Sequence, residues 1–150
     1  MEEVPTADYT LPLSKAEVLT PGTDLTLISY GTPLYTCELA AAHAREALGL
    51  SVEVIDLRTV YPWDKKTVFE SVNKTGRCVI VHEAPRGGGI GGEVSAAIQE
   101  ACFLRLEAPV GRVTGWDTHM GLIFEQFNVP DVVRKFSYSV SMSSPHFGLI

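Results

Sequence analysis

GRCVIVHEAPRGGGIGGEVSAAIQEACF, residues 76–103, passes from an apolar strand through a polar turn and a glycine run into a helix. Residues 78–81 are four apolar or β-branched residues bounded by Gly and charge, the pattern of a central strand. Residues 82–86 (HEAPR) read as a polar turn and residues 87–92 as a glycine loop. From Val94 the spacing Val94, Ile98, Ala101, Cys102 places one apolar stripe on a helix. Glu93 sits in the first turn, where a carboxylate complements unpaired N–H groups and the helix dipole. In an open α/β sheet such a strand-to-helix turn is where function is usually placed.

The same alternation continues on both sides. Upstream, residues 25–29 (LTLIS) form a strand ending at Tyr30-Gly31-Thr32-Pro33, with Thr32 expected to cap and Pro33 to open a helix over 34–48. That helix turns Leu34, Cys37, Ala41, Ala44 and Leu48 to one side and stops at Gly49. Residues 51–55, with the run VEVI, are the next strand, and Asp64 can cap a helix over 65–73 that stops at Gly76. Residues 16–19 read as a short edge strand, and 110–114 as a strand after the glycine-led helix. A single helical turn is expected over 122–127 and a last helix after Asp131, through Val132, Val133 and Phe136. Strands alternating with helices at these spacings predict βαβ units with right-handed crossovers, hence an α/β fold of the three-layer α/β/α sandwich type with four or five strands.

Composition removes several classes of function. At 150 residues, 45% hydrophobic and 20% charged, the chain has the means for one domain with a real core. A net charge of −6 and the absence of a basic stripe argue against nucleic-acid binding and for a basic protein partner. Cys37, Cys78 and Cys102 fall inside periodic segments with no CxxC pair, which fits buried free thiols in a reducing compartment. No apolar run approaches membrane-spanning length, so no membrane partner is expected.

The candidate chemistry is sparse. Gly87, Gly89 and Gly92 satisfy G-x-G-x-x-G between a strand and a helix, but five residues separate the first glycine from its strand. An acid near the end of the next strand, expected of a dinucleotide site, is missing there; Val113 and Thr114 occupy it. Three readings stay open for this loop: a dinucleotide, an anion at the helix N-terminus, or backbone that approaches a neighbouring subunit. His82 and Glu83 stand where an α/β enzyme would put a general acid and base, or they form a hydrogen-bonded pair that fixes the turn at an interface. His43 reads as a surface or half-buried residue, and His119 and His146 lack ligand-spaced companions. Asp56 and Arg58 read as a charge pair anchoring a loop packed by Trp63, and Ser14 and Ser29 lack a nucleophile-elbow context. The residues therefore predict no catalytic, cofactor-binding or metal-binding set.

Several ordered motifs carry a resemblance. VPTADYTLPLSKAEV (4–18), VEVIDLRTVYPWD (52–64), KTGRCVIVHEAP (74–85) and RVTGWDT (112–118) resemble the C-terminal, transketolase-C-like domain of the β subunit of the branched-chain 2-oxoacid dehydrogenase E1 component. The resemblance covers residues 4–131, and HEAP together with LEAPVGRVTGWDT is closer to the branched-chain enzyme than to its pyruvate relative. It implies a mostly parallel five-stranded sheet with one antiparallel strand. It also implies a non-catalytic assembly domain, with residues 1–14 as an arm from a preceding domain, 15–136 as the domain and 137–150 as an atypical tail. Thiamine diphosphate and magnesium would belong to the parent enzyme and not to this domain. The implied partners are the E1 α subunit, a second β subunit in an α2β2 heterotetramer, and the subunit-binding domain of the dihydrolipoyl acyltransferase, in the mitochondrial matrix. The expected interface residues are His82, Glu83, Arg86, Gly87, Gly89, Gly92 and Glu93. HMGLIFE (119–125) and residues 137–150 depart from the family pattern. The alternatives are a stand-alone nucleotide- or anion-binding domain using Gly87–Gly92, or the same domain from a pyruvate dehydrogenase.

Overall fold

The computed structural model describes residues 5–131. Five strands, β1 (Glu17–Thr20), β2 (Leu25–Ser29), β3 (Val52–Asp56), β4 (Cys78–Pro85) and β5 (Gly111–Gly115), form one sheet in the order β1-β3-β2-β4-β5. β1 runs antiparallel to β3, and the other pairings are parallel. The helices are α1 (Pro33–Leu48), α2 (Lys65–Thr75), α3 (Ile90–Cys102) and the single turn α4 (Glu125–Asn128). The three-layer sandwich and its one antiparallel strand are as expected. The helix expected after Asp131 and the tail lie outside the described residues. No helix among the described residues is long and apolar enough to cross a membrane.

Strand alternation divides the core in two. Leu25 and Leu27 of β2, Val52 and Val54 of β3, and Val79 and Val81 of β4 pack with Cys37, Ala41 and Ala44 of α1 on one face. Ile28, Cys78 and Ile80 turn to the other face and meet Val68 and Val72 of α2 and Val94, Ile98 and Cys102 of α3. Small residues on α1 let that helix lie close to the sheet. Leu48, expected on the buried side, is 47% exposed. The three cysteines are buried and none is in a disulfide, and burial raises Cys78 above the usual thiol range.

The helix ends use the chemistry read from the sequence, with one exception. Gly49 and Gly76 close α1 and α2 at φ 70° and 71°, left-handed positions where glycine carries no Cβ penalty. Thr32 makes no side-chain cap: it is already in a helical conformation, and Pro33 leaves one fewer N–H to satisfy. Asp64 does cap α2, accepting from the Thr67 N–H at 3.1 Å and the Thr67 hydroxyl at 2.8 Å. Its other task is to hold the incoming chain, accepting from the Ala16 N–H at 3.1 Å. Upstream of that anchor Tyr9, Leu11 and Leu13 are exposed.

One buried carboxylate ties the amino-end side of the sheet together. Glu53 accepts from the Gly22 N–H at 3.1 Å and pairs with Lys74. Burial alone would raise its carboxyl, but hydrogen bonds from Lys74, Ser71 and Gly22 outweigh that and hold it below the usual range. Asp64 is lowered in the same way, with the Thr67 and Ala16 donors outweighing burial. Carboxylates depressed in the native state contribute stability at pH above their ordinary values, and it is lost as pH falls through the folded values. The carboxylate part of the pH dependence of the urea midpoint should therefore be level near neutrality and set in below about pH 5. Asp64→Ala should cost about 1 kcal/mol at neutral pH and flatten part of that acid slope.

Candidate functional site

β2 connects leftward to β3 while β4 connects rightward to β5, so a crevice opens between their carboxyl ends. This is the topological switch point at which open α/β sheets bind. A groove of about 860 Å³ occupies it, walled by Thr32 after β2, by Glu83 and Pro85 of β4, and by His119, Met120 and Glu125 beyond β5. It presents two carboxylates and no lysine or arginine. A second hollow, lined by Glu38, Asp56 and Tyr35, adjoins it and shares Thr32. Burial raises the Asp56 carboxyl, with the Arg58 N–H opposing the shift. Burial, then the Glu83 carboxylate, raises the Tyr30 phenol. Beyond the groove Leu122, Ile123, Phe124 and Phe127 are largely exposed, so an acidic cleft has an apolar rim.

β4 runs on to Pro85, and the polar turn expected over 82–86 is mostly strand. Pro85 pairs with Gly115 across a break in register after Val81. His82 is consequently buried at 0% exposure, while Glu83 is exposed. The two do not form the expected pair; His82 Nδ1 instead lies 3.0 Å from the Ala84 carbonyl. The expected glycine loop is shorter too, since α3 begins at Ile90 and takes in Gly91 and Gly92.

The glycines have an intramolecular reason. A Cβ on Gly89 would lie 2.6 Å from His82 Cε1 and 2.7 Å from the Pro85 carbonyl oxygen. A Cβ on Gly91 would lie 2.8 Å from His82 Cδ2 and nearer still to Nε2. Gly88 sits at φ 74°, with open space around it. Gly89 and Gly91 thus let α3 pack closely over the imidazole. Gly91 was outside the G-x-G-x-x-G spacing and carries the closest approach.

The remaining expected residues surround this wedge. Arg86 and Glu93 are exposed, and Gly87 donates its N–H to Asp117 Oδ1 at 2.9 Å. Arg112 Nη1 donates to the Arg86 carbonyl at 3.4 Å. Glu83, Arg86, Gly87, Gly92 and Glu93 therefore reach the surface around the α3 N-terminus, whereas His82 supports it from beneath. Asp117, Arg112 and Tyr30 complete the region and carry no local sequence signal, because Tyr30 follows β2 while Arg112 lies on β5 and Asp117 just after it, all distant in sequence from β4. Elsewhere, Asp56 and Arg58 pair at 3.8 Å, with Glu17 as a second partner of Arg58. Ser29 Oγ donates to the Val81 carbonyl at 3.0 Å and is spent on the sheet. His43 and His119 are exposed, and among the described residues no three metal-ligating side chains stand together.

The chain matches the family model described as "Transketolase, C-terminal domain" over residues 14–134. It is 60% identical over 137 residues to the mitochondrial 2-oxoisovalerate dehydrogenase subunit beta of Chaetomium thermophilum, covering 90% of this chain and 29% of that protein. It is 50% identical over 117 residues to the pyruvate dehydrogenase E1 component subunit beta of Staphylococcus epidermidis, covering 78% of this chain and 36% of that protein. The chain thus spans about a third of the length of these curated relatives. A solved structure titled "Split gene transketolase, inactive beta4 tetramer" superposes with a TM-score of 0.73 at 26% identity, over 95% of this chain and 47% of that one.

Proposed function

The chain belongs to the transketolase C-terminal domain family, and on that premise we propose that it is the C-terminal assembly domain of a 2-oxoisovalerate dehydrogenase E1 β subunit. The observation that carries this reading is the 60% identity over 90% of the chain, against 50% over 78% for a pyruvate dehydrogenase β subunit. The parent enzyme would carry out thiamine diphosphate-dependent oxidative decarboxylation of a branched-chain 2-oxoacid and pass the acyl group to a lipoyl group. This chain supplies no step of that chemistry. Its groove offers Glu83 and Glu125 where a diphosphate would need cations or N–H donors, so thiamine diphosphate and magnesium are assigned to the rest of the enzyme.

Residues 15–136 make up the domain in this reading, and its role is contact. Glu83, Arg86, Gly87, Gly89, Gly92 and Glu93 face a neighbouring α or β subunit, with His82 beneath them. The net charge of −6 suits a basic docking domain of the acyltransferase. The mitochondrial matrix is the proposed compartment, following the mitochondrial relative.

The test is association with the cognate α subunit, read by sedimentation. Arg86→Glu combined with Glu93→Lys alters exposed charges without entering the core, so the fold should persist while complex formation falls at least about tenfold. Wild-type affinity in the double variant would exclude this surface. Gly89→Asp is unsuitable for the purpose, because its side chain would meet His82 and the Pro85 carbonyl inside the fold. Docking of the acyltransferase domain should also weaken with salt, and equal affinity at low and high salt would remove the electrostatic part of the reading.

A further inference from the structure

We infer that His82 sits neutral beneath α3, keeping its proton on Nδ1 and its bare Nε2 against the first turn of the helix, so that acidification unseats the glycine loop. The Ala84 carbonyl can only accept a hydrogen bond, so the contact at 3.0 Å requires Nδ1 to be the donor. In a neutral ring Nε2 then carries the lone pair. It is buried and has no hydrogen-bonding partner among the described residues. A Cβ built on Gly91 would collide with it; Gly91 is the second residue of a helix whose N-cap residue, Gly89, has no side chain with which to cap.

The first turn of a helix presents unpaired N–H groups and the positive end of its dipole. A lone pair is the favourable thing to place there. A proton on Nε2 would put a buried cation against that positive end.

The surrounding charges give the cation no relief. Burial comes first in lowering the His82 pKa, the Ala84 hydrogen bond opposes it, and the Arg112 guanidinium on β5 lowers it further. On α3, Glu93 is exposed, and on β4 Glu83 is exposed and walls the groove. On the β2 side the titratable group is Tyr30, which faces Glu83. Beyond β5, Asp117 is engaged by the Gly87 N–H. A histidine depressed in the folded state contributes full stability above its ordinary value, and that contribution is lost as pH falls from there toward the folded value. The loss falls on the residues wedged over the ring, Gly89 and Gly91, and passes through Gly87 to Asp117 at the edge of the groove.

Long-range 1H–15N NMR of the 150-residue chain reads the tautomer directly. We expect His82 protonated at Nδ1 and bare at Nε2, with a titration midpoint below that of histidine in the denatured chain. The amides of Gly87–Gly92 should shift with that same midpoint. The opposite tautomer, or a ring that titrates at or above the ordinary value, overturns the inference. His82→Asn retains a donor for the Ala84 carbonyl but removes Nε2, and should abolish the shared midpoint in the loop amides; its persistence also overturns the inference. If that variant does not fold, the wild-type spectrum decides alone. The measurement is made on the isolated chain and is independent of the subunit assignment.

Discussion

Gly115→Ala is expected to be among the most damaging single-methyl additions to this protein. The new Cβ would collide with the Glu83 carbonyl oxygen and lie 3.3 Å from the Asn128 carbonyl and 3.4 Å from that of Ala84. All three are backbone atoms, so no side chain can rotate away. Relief would require parting β5 from β4 at the Pro85–Gly115 pair, or displacing the segment in which the Trp116 N–H donates to the Asn128 carbonyl at 3.1 Å. Overpacking of this kind costs about 3 kcal/mol, which in a domain this size lowers the melting temperature by about 6–12 °C. Thermal unfolding followed by circular dichroism measures it. A change smaller than about 2 °C would mean that β4 and β5 are not held this closely. Gly121→Ala is the control, since its Cβ would meet only Cδ2 of the Phe124 ring at 3.5 Å, an ordinary contact.

Trp63→Ala should cost about as much by the opposite route. Trp63 is 6% exposed, packs edge-on against Phe69 with centroids 5.8 Å apart, and lies under the Lys65 ammonium at 5.6 Å. It joins Leu57, Val68 and Val72 in the core beneath α2, next to the Asp64 cap. Truncation leaves a cavity that the sheet cannot collapse to fill, at a cost of about 3–5 kcal/mol. Trp63→Phe keeps much of the volume and should lose less than half of that. Equal urea midpoints for the two variants would show that the indole body is not what fills this corner.

Both predictions concern positions of which the sequence revealed different amounts. IDLRTVYPWD gave away its Asp56–Arg58 pair and the packing of Trp63, because those contacts are local. It did not give away Glu17, which reaches Arg58 from the antiparallel β1. Likewise the Asp64 cap was legible from its place before an amphipathic stretch, whereas its hold on Ala16 was not. Thr32 stands where a cap would stand and is not one, since its own backbone is already helical. The boundary of β4 was misplaced because HEAP is polar at its start, and only the pairing of Pro85 with Gly115 shows that the strand continues.

The sequence by itself determined the layer architecture and the family. The short apolar runs of the strands, bounded by turn residues, and the apolar stripes of the helices are local regularities, and each records which side chains must leave water. The C′ glycines are local as well, since a left-handed residue is required wherever a helix ends that way. Only the tertiary structure decided what the glycine run is for. A strand histidine and two glycines of the following helix share no periodicity. Whether those glycines open space for a phosphate, a neighbouring subunit or a ring depends on how closely β4 and α3 pack. That distance is set by the whole core beneath α3, from Ile80 to Ile98 and Cys102. Here the core draws the helix down until the His82 ring fills the gap, which leaves Arg86 and Glu93 at the surface above it.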